Sequence, residues 1–477
     1  MANRWNCMLS HKRPVPLDRL RLNQGEIRRF AMLLAIVVSG MCVFSGQLVV
    51  TAAKPAQPAS QSRPAAALPP QQLPDFSADD FRGRRWTQDD FKDAQITVLA
   101  FLGTECPLAK LYSVRLQEMQ DAGIDDGVRV VAVMSNRHDS MREIAAFAKR
   151  HSLSFPVLKD AGNRIADDFA ARRTPEVFVY DRNGELAYHG RVDDQYGVGY
   201  VRDEPRRRDL KMAIDDLIAG RPVRVPRTNA VGCIIGRQKI SVANSDVTYT
   251  GDIAPILNAR CVSCHREGEI APFALTEYEE VAGWADMIAE VVRDQRMPPW
   301  HAAPGHASFL NDRSLTDQEK ATLYAWVDAG CPQGDESDLP PTPTFTEGWQ
   351  LPRKPDLIVD INEKPFDVPA MGEVRYQYFR VDPKLTEDKW IKAAELLPGN
   401  RMVVHHILAF ARKKGQRGGL NAQRGYLVGY VPGTRIRMLP NGMAKRLPAD
   451  SELIFQVHYT PIGTPQKDSS TLCFVFA

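Results

Sequence analysis

The spacing of apolar residues divides this chain into blocks with different secondary structure. In the first block, residues 96–112 read as an apolar strand, a short turn and a helix, and 128–135 form a second continuous apolar run. Such runs are typical of strands buried on both faces. Residues 140–153 have helical spacing, and 174–194 read as strand, Asn-Gly turn and strand. Alternating strands and helices closed by a hairpin predict an α/β domain over 74–235.

The second block, 246–335, has helical spacing throughout. Its last run, 314–330, opens with Thr316 and Glu319 in the spacing of a capping box and ends at Gly330, a good helix stop. The block therefore predicts an all-α domain.

From residue 350 onward the helical spacing disappears. Short strand-like runs separated by Pro and Gly turns predict an all-β antiparallel sandwich over 350–477. The runs are "PDLIVDI", "RYQYFRVD", "KWIKAAELLP", "MVVHHILAF" and "ELIFQVHYTPIG".

The N-terminus is typical of a targeting segment. An arginine-rich stretch precedes residues 30–50, which contain no charge and predict a hydrophobic helix. The small residues at 51–53 suit cleavage, so 1–53 is either a signal peptide or a signal anchor. Both predict an exported protein, periplasmic, extracytoplasmic or secreted, which an uncleaved helix would attach to the membrane. Residues 54–73 are rich in Pro and Ala and predict an extended linker.

Composition narrows the function classes. The chain is 44% hydrophobic and 25% charged with a formal net charge of +3, and no basic stripe indicates nucleic-acid binding. Of its eight cysteines, six follow the targeting segment and are spread over more than 400 residues. This density excludes a disulfide scaffold, so each cysteine is interpreted by its local chemistry.

The first block contains a cysteine at a predicted helix start, in "FLGTECP". With Thr174-Pro175 and "VFVYDRNGELAYHGRVDD", this motif resembles the thioredoxin-like redoxins of the alkyl hydroperoxide reductase and thiol-specific antioxidant group. The resemblance implies that Cys106 is a redox thiol, and a helix N-terminus stabilises a thiolate. The adjacent Glu105 opposes ionisation. No second cysteine follows three residues later, so Cys233 is the candidate resolving partner. The alternative is that Cys106 is inert and Cys233 fills core space.

The second block contains "CVSCH", residues 261–265. Cys261 and Cys264 have the spacing for covalent attachment to one haem, with His265 below the iron. Half of a zinc site is the rival interpretation, and no second CxxC completes it. The block resembles a class I cytochrome c, which implies haem c with Met297 as the sixth ligand. His301 and His306 are rival ligands, and core filling is the alternative role of Met297.

The third block contains adjacent histidines, His405 and His406, within an apolar strand, and His458 within another. Neutral imidazoles without acidic neighbours suit copper or zinc. "VVHHILAF" and "FQVHYTP" resemble the first copper site of the copper type II, ascorbate-dependent monooxygenases, which implies that the three histidines bind one copper. Successive side chains of a regular strand point to opposite faces. We therefore predict a bulge or twist at 405–406, or coordination through Nδ1, with His458 on a neighbouring strand.

The rest of the monooxygenase pattern is missing. The chain contains no His-x-His pair, and it stops within a strand-like run, which predicts a truncated sandwich. A chain of this kind would not complete a hydroxylation.

Together the blocks predict a multidomain oxidoreductase that exchanges electrons with proteins or with a small reductant such as ascorbate. The alternatives are a non-enzymatic electron carrier or metal-binding surface protein, and a thiol peroxidase or disulfide reductase with appended modules.

Overall fold

The computed structural model describes residues 68–477 apart from short gaps. The gaps are 243–244, 301, 303–304, 306, 310, 347, 417–424, 435 and 437. The predicted targeting segment 1–53 and residues 54–67 of the predicted linker lie outside the described residues. Within the described part, no helix combines the length and the apolar character that a membrane crossing needs.

The first block forms an α/β layer around a five-stranded sheet of order β5-β4-β3-β7-β8. The pairs β3–β4 and β4–β5 are parallel, whereas β7 runs antiparallel to β3 and β8 antiparallel to β7. The strands up to residue 234 are β1 (Ser77–Asp79), β2 (Arg85–Thr87), β3 (Ile96–Leu102), β4 (Val128–Met134), β5 (Val157–Lys159), β6 (Arg173–Thr174), β7 (Glu176–Asp181), β8 (Leu186–Gly190), β9 (Tyr196–Gly197), β10 (Tyr200–Val201) and β11 (Cys233–Ile234).

Helices cover both faces of this sheet. They are α1 (Pro107–Gly123), α2 (Met141–Arg150), α3 (Arg164–Asp168) and α4 (Asp209–Ile218), with short 3-10 turns at Gln88–Phe91 and Ala161–Asn163. The helix α2 begins at Ser140, whose side chain accepts from the Glu143 N–H in a capping box. The predicted Asn-Gly hairpin is confirmed as β7 and β8.

The last residues of the predicted linker belong to this block. Gln72 forms a β-bridge with Glu185, and the Leu73 N–H donates to the Gly184 carbonyl at 2.9 Å. The ordered redoxin-like block therefore begins before residue 74, because the hairpin turn provides backbone partners for the chain that enters it.

Between β11 and the sandwich, the described residues form helices. They are a π-helical turn (Tyr249–Ile253), α5 (Ala254–Arg260), α6 (Tyr278–Gly283), α7 (Ala285–Arg293) and α8 (Asp317–Asp328), followed by a 3-10 turn (Glu336–Asp338). The predicted capping box of α8 is confirmed, since the Thr316 side chain accepts from the Glu319 N–H and Glu319 reaches back to the Thr316 N–H.

These helices have no separate core, and in this respect the expectation of a self-contained all-α domain was wrong. Their buried apolar residues join one face of the redoxin-like sheet in a single continuous cluster. At the seam, the rings of His138 and Trp284 lie 4.6 Å apart. Gly283 lets them approach, because a Cβ there would lie 2.2 Å from His138 Nδ1. A cytochrome c fold for this segment stays a prediction.

The third block is the expected antiparallel sandwich, with its own core. Its two four-stranded sheets have the orders β12-β21-β15-β18 and β14-β19-β16-β17, and β13 pairs with β20. The strands are β12 (Leu357–Asp360), β13 (Phe366–Val368), β14 (Gln377–Val381), β15 (Lys389–Leu397), β16 (Val404–Lys413), β17 (Tyr426–Tyr430), β18 (Lys445–Leu447), β19 (Ser451–Tyr459), β20 (Gln466–Asp468) and β21 (Thr471–Phe476).

The sandwich contacts the turn that carries the CxxCH motif. The Arg313 guanidinium donates both to Ser263 Oγ within the motif and to the Gly433 carbonyl after β17. Across the same contact, Arg401 lies 3.6 Å from Glu269. Gly433 has φ +74°, and a Cβ there would lie 3.0 Å from Cys264 Sγ. The motif is therefore packed against the sandwich.

Candidate functional site

Cys106 occupies the N-cap position of α1, directly before Pro107 at the first helical position. Proline is favoured there because the N–H that it lacks would have no helical partner. The cysteine is fully buried, and its Sγ donates to the Thr174 carbonyl at 2.9 Å. The Thr174-Pro175 peptide bond is cis. The predicted redox thiol thus lies at a helix N-terminus against the proline segment.

The second predicted thiol lies beside the first. Cys233 is in β11, which pairs antiparallel with β6 so that Cys233 faces Thr174. The preceding Gly232 makes this close approach feasible, since a Cβ there would lie 2.0 Å from the Thr174 carbonyl oxygen. Both cysteines are free thiols in this structure. The structure therefore brings Cys106 and Cys233 together although 126 residues separate them along the chain.

The two thiols ionise unequally. Burial raises the pKa of Cys106, but hydrogen bonds donated to its sulfur by Cys233 and by the Ala109 N–H help to outweigh burial, and the pKa is lowered to about 6. The hydrogen bond with Cys106, together with burial, raises the pKa of Cys233 well above its usual value. The pair can thus carry one negative charge, which resides on Cys106.

Glu105 opposes the thiolate less than the sequence suggests. Burial raises the pKa of its carboxyl to about 7, against the opposing effect of Lys110. A carboxylic acid that is partly protonated near neutral pH repels the neighbouring thiolate less than a carboxylate would.

A buried polar network supports the loop before Cys106, and sequence reasoning missed it. Thr104 Oγ1 donates to Asp139 at 2.6 Å, and Asn136 Nδ2 donates to the same carboxylate at 3.0 Å. Asn136 Oδ1 also accepts from the Gly236 N–H at 2.9 Å, three residues beyond Cys233. The network thus connects the segments of both cysteines, and only the three-dimensional fold reveals it.

The CxxCH residues lie on the turn that follows α5. The backbone N–H groups of Cys264 and His265 both donate to the Cys261 carbonyl, each at 3.0 Å. His265 Nδ1 lies 3.1 Å from the Phe273 carbonyl, a contact in which Nδ1 is the donor. That tautomer leaves Nε2 with a free lone pair, the state that an iron ligand requires. His265 is therefore available as a ligand on the same turn as the two cysteines.

Of the three candidates for the sixth iron ligand, the structure describes only Met297. Met297 follows α7, and its side chain is 40% exposed. Core filling, the alternative role of Met297, is therefore wrong. Its rivals His301 and His306 lie outside the described residues.

The three histidines of the sandwich converge. His406 pairs with His458 across β16 and β19, and the register shifts between Val404 and His406, so that His405 is an extra residue. The predicted bulge is confirmed. His405 Nδ1 and His406 Nδ1 lie 3.2 Å apart, and one nitrogen from each of the three rings falls within 4.8 Å of the others. Two nitrogens bound to one metal at ~2.0 Å would have about this separation. The rings therefore fit a copper or zinc ion.

Electrostatics keep these histidines neutral. Burial lowers the pKa of all three, and for His458 burial and the other two imidazoles lower it to about 4. Tyr376, which sequence reasoning missed, lies edge-on to His406 and His458, with ring centroids 5.5 and 5.0 Å away. Its position just before β14 gave no local signal of this contact.

Comparison with known proteins supports the first of these sites. A model of the AhpC/TSA family matches residues 69–189, so the chain contains a thioredoxin-like redoxin domain. The thiol-disulfide oxidoreductase ResA of Geobacillus thermodenitrificans is 26% identical over 113 residues, which cover 24% of this chain and 63% of that relative. The chain thus matches less than two thirds of the length of this relative.

Two further proteins are similar to this chain. The chloroplastic peroxiredoxin Q of Sedum lineare is 26% identical over 131 residues, 26% of this chain and 69% of that protein. The crystal structure of a hypothetical protein from Sinorhizobium meliloti 1021 is 30% identical, with a TM-score of 0.33, and covers 36% of this chain and 94% of that one. The family match and the two named relatives show that the chain carries a module of the thiol-disulfide oxidoreductase and peroxiredoxin type.

Proposed function

We propose that this chain is an exported oxidoreductase in which Cys106 and Cys233 form a reversible dithiol/disulfide couple. The observation that carries the proposal is the position of Cys233 opposite Thr174, next to the Cys106 thiol with its lowered pKa. The couple replaces the Cys-x-x-Cys arrangement, since Ala109 stands where a second cysteine would be.

The chemistry follows from the unequal thiols. The Cys106 thiolate attacks a disulfide sulfur or a peroxide oxygen, and the leaving thiolate or alkoxide takes up a proton. The Cys233 thiol then attacks the sulfur of Cys106, in the mixed disulfide or in the sulfenic acid. A thiol or water departs, the Cys106–Cys233 disulfide remains, and the substrate has gained two electrons.

Mass spectrometry of the full-length chain tests this couple. After oxidation by a disulfide or by hydrogen peroxide, a Cys106–Cys233 peptide pair should lose two hydrogens. Cys106→Ser should abolish turnover, and Cys233→Ser should stop the reaction at the mixed disulfide or sulfenic acid. Cys473→Ser is the matched control, because Cys473 is a buried free thiol of the sandwich. Full turnover by Cys106→Ser would overturn the proposal.

We infer a second function, electron transfer, from the two remaining sites. Cys261 and Cys264 would hold haem c, His265 would be its proximal ligand and Met297 the sixth. The group would supply a one-electron couple. The support is the His265 tautomer set by the Phe273 carbonyl. A pyridine haemochrome spectrum tests for the haem, and Cys261→Ala should remove its covalent attachment. A spectrum without haem c from a host that matures such proteins would contradict it.

His405, His406 and His458 would hold one copper ion, which would accept and donate single electrons. The reductant would be a partner protein or a small molecule such as ascorbate. The support is the convergence of the three rings at the bulge. Metal analysis should find one copper per chain, and His458→Ala should lose it. Glu452→Gln, six residues away on the same strand, should keep it, because Glu452 accepts from Arg412 rather than from a histidine. A chain without bound copper would leave the alternative of a thiol enzyme with appended modules.

A further inference from the structure

The strand that carries Cys233 lies between two parts of the molecule. On one side β11 pairs with β6, and on the other the Ile234 N–H lies 3.5 Å from Met287 Sδ of α7. The paired strands have two residues each, and one more backbone hydrogen bond, from the Ile235 N–H to the Arg172 carbonyl at 2.9 Å, extends the pairing. So short a pairing does not by itself hold a strand, and additional contacts must keep Cys233 against Cys106.

Arg173 provides such a contact. Its Nη1 donates to the carbonyl of Gly232, the residue before Cys233, at 2.7 Å. The same guanidinium binds both carboxylate oxygens of Glu290 in α7, with Nη1–Oε1 at 3.3 Å and Nη2–Oε2 at 2.8 Å. A planar guanidinium can serve a carbonyl and a carboxylate at once, which an ammonium cannot do with the same geometry.

Both ends of this arginine are fixed. Its backbone N–H donates to Glu176 Oε2 at 2.8 Å, and Glu176 also lies 2.6 Å from His189 Nε2. The Arg173 side chain is 28% exposed and the Glu290 side chain 13%, so solvent competes weakly with their contact. Glu290 also accepts from Arg296 at 2.7 Å. The guanidinium that binds the Gly232 carbonyl is therefore itself held by a largely buried carboxylate.

We infer that Arg173 is the positioning residue of the thiol couple: it holds Cys233 in place against Cys106, and Glu290 holds Arg173. The inference rests on the proposed function, and it makes the position of Cys233 depend on Glu290 of the helical segment. The disulfide then forms readily because Cys233 is already in place when Cys106 reacts. The helical segment thereby contributes to the effective concentration of one thiol at the other, although none of its residues reacts.

The test compares three variants of the full-length chain in glutathione redox buffers. Arg173→Lys keeps the positive charge but lacks the planar guanidinium that binds Gly232 and Glu290 at once. Glu290→Gln keeps the shape of the side chain but removes its negative charge. Each should lower the equilibrium constant for the Cys106–Cys233 disulfide about tenfold, which makes the potential about 30 mV less negative. Glu279→Gln is the matched control: it removes the Arg137–Glu279 ion pair, which joins the same two segments away from β11.

A second measurement distinguishes positioning from a general loss of stability. Iodoacetamide should modify reduced Cys233 about tenfold faster in Arg173→Lys and Glu290→Gln than in the control, because displacement from Cys106 exposes the Cys233 sulfur and removes the hydrogen bond that keeps it protonated. Urea unfolding should stay within the range of the control. Potentials and alkylation rates equal to those of Glu279→Gln would overturn the inference and leave the thiol couple intact. A wild-type chain that forms no Cys106–Cys233 disulfide would overturn both.

Discussion

At the scale of single residues, the thiol pair has the clearest chemistry. Cys106 combines a helix N-terminus with a neighbouring thiol, and these together outweigh the burial that would otherwise keep it protonated. Cys233 is affected in the opposite direction by the same contact. The difference decides which sulfur attacks first.

The ionisation of Cys106 makes a pH prediction. Because its pKa is lowered to about 6, the alkylation rate of the reduced chain at Cys106 should rise through a midpoint near pH 6. An ordinary cysteine would show a midpoint of about 8.5. The rate is measured with iodoacetamide and peptide mass spectrometry from about pH 4.5 to about pH 9. This range includes both midpoints, which differ by ~2.5 pH units.

The control for this profile is Cys233→Ala. Loss of the hydrogen bond from the second thiol should move the midpoint upward, towards that of an ordinary cysteine. A wild-type midpoint above pH 8, or an unchanged midpoint in the variant, would contradict the assigned cause.

At the scale of elements, local patterns in the sequence correctly predicted those features whose geometry depends on a few consecutive residues. The Thr316–Glu319 capping box, the Asn-Gly hairpin and the bulge at His405 are all visible in a few consecutive residues. The β11–β6 pairing was not visible, because residues 233–234 have no strand pattern and are paired only through contact with a distant segment. The network of Thr104, Asn136 and Asp139 is likewise a product of tertiary structure.

The cap of α8 gives a prediction about stability. Thr316→Ala leaves the Glu319 N–H without its acceptor and should cost about 1 kcal/mol in the free energy of unfolding. Urea denaturation followed by circular dichroism measures the loss. Thr322→Ala, within the same helix, should be neutral or slightly stabilising, because alanine favours a helix interior. Equal effects of the two changes would show that the cap contributes nothing.

At the scale of the whole molecule, the predicted succession of three blocks is present, but only the sandwich has a core of its own. The spacing of apolar residues changes at the boundaries between the blocks, and this change suggested separate domains. Periodicity reports which face of a helix is buried but not which neighbour buries it. The helical segment therefore looked like a domain of its own, whereas its buried apolar residues belong to the same cluster as those of the redoxin-like block.

The contact between the CxxCH turn and the sandwich makes the last prediction. Arg313→Ala removes donors to Ser263 and Gly433 and should weaken this contact by ~1 kcal/mol. Limited proteolysis within 331–356 should then run about fivefold faster. Lys467→Ala breaks an exposed ion pair within the sandwich and should leave that rate unchanged. Equal rates in both variants would rule out Arg313 as the bridge.

The shared core also bears on how such a chain can arise and diversify. Genes for multidomain proteins are commonly joined and rearranged at the boundaries between units that fold alone. A crossover between residues 235 and 246 would separate Trp284 from His138 and Met287 from Ile234. Joining either part to a different neighbour would therefore expose apolar residues that the shared cluster now buries.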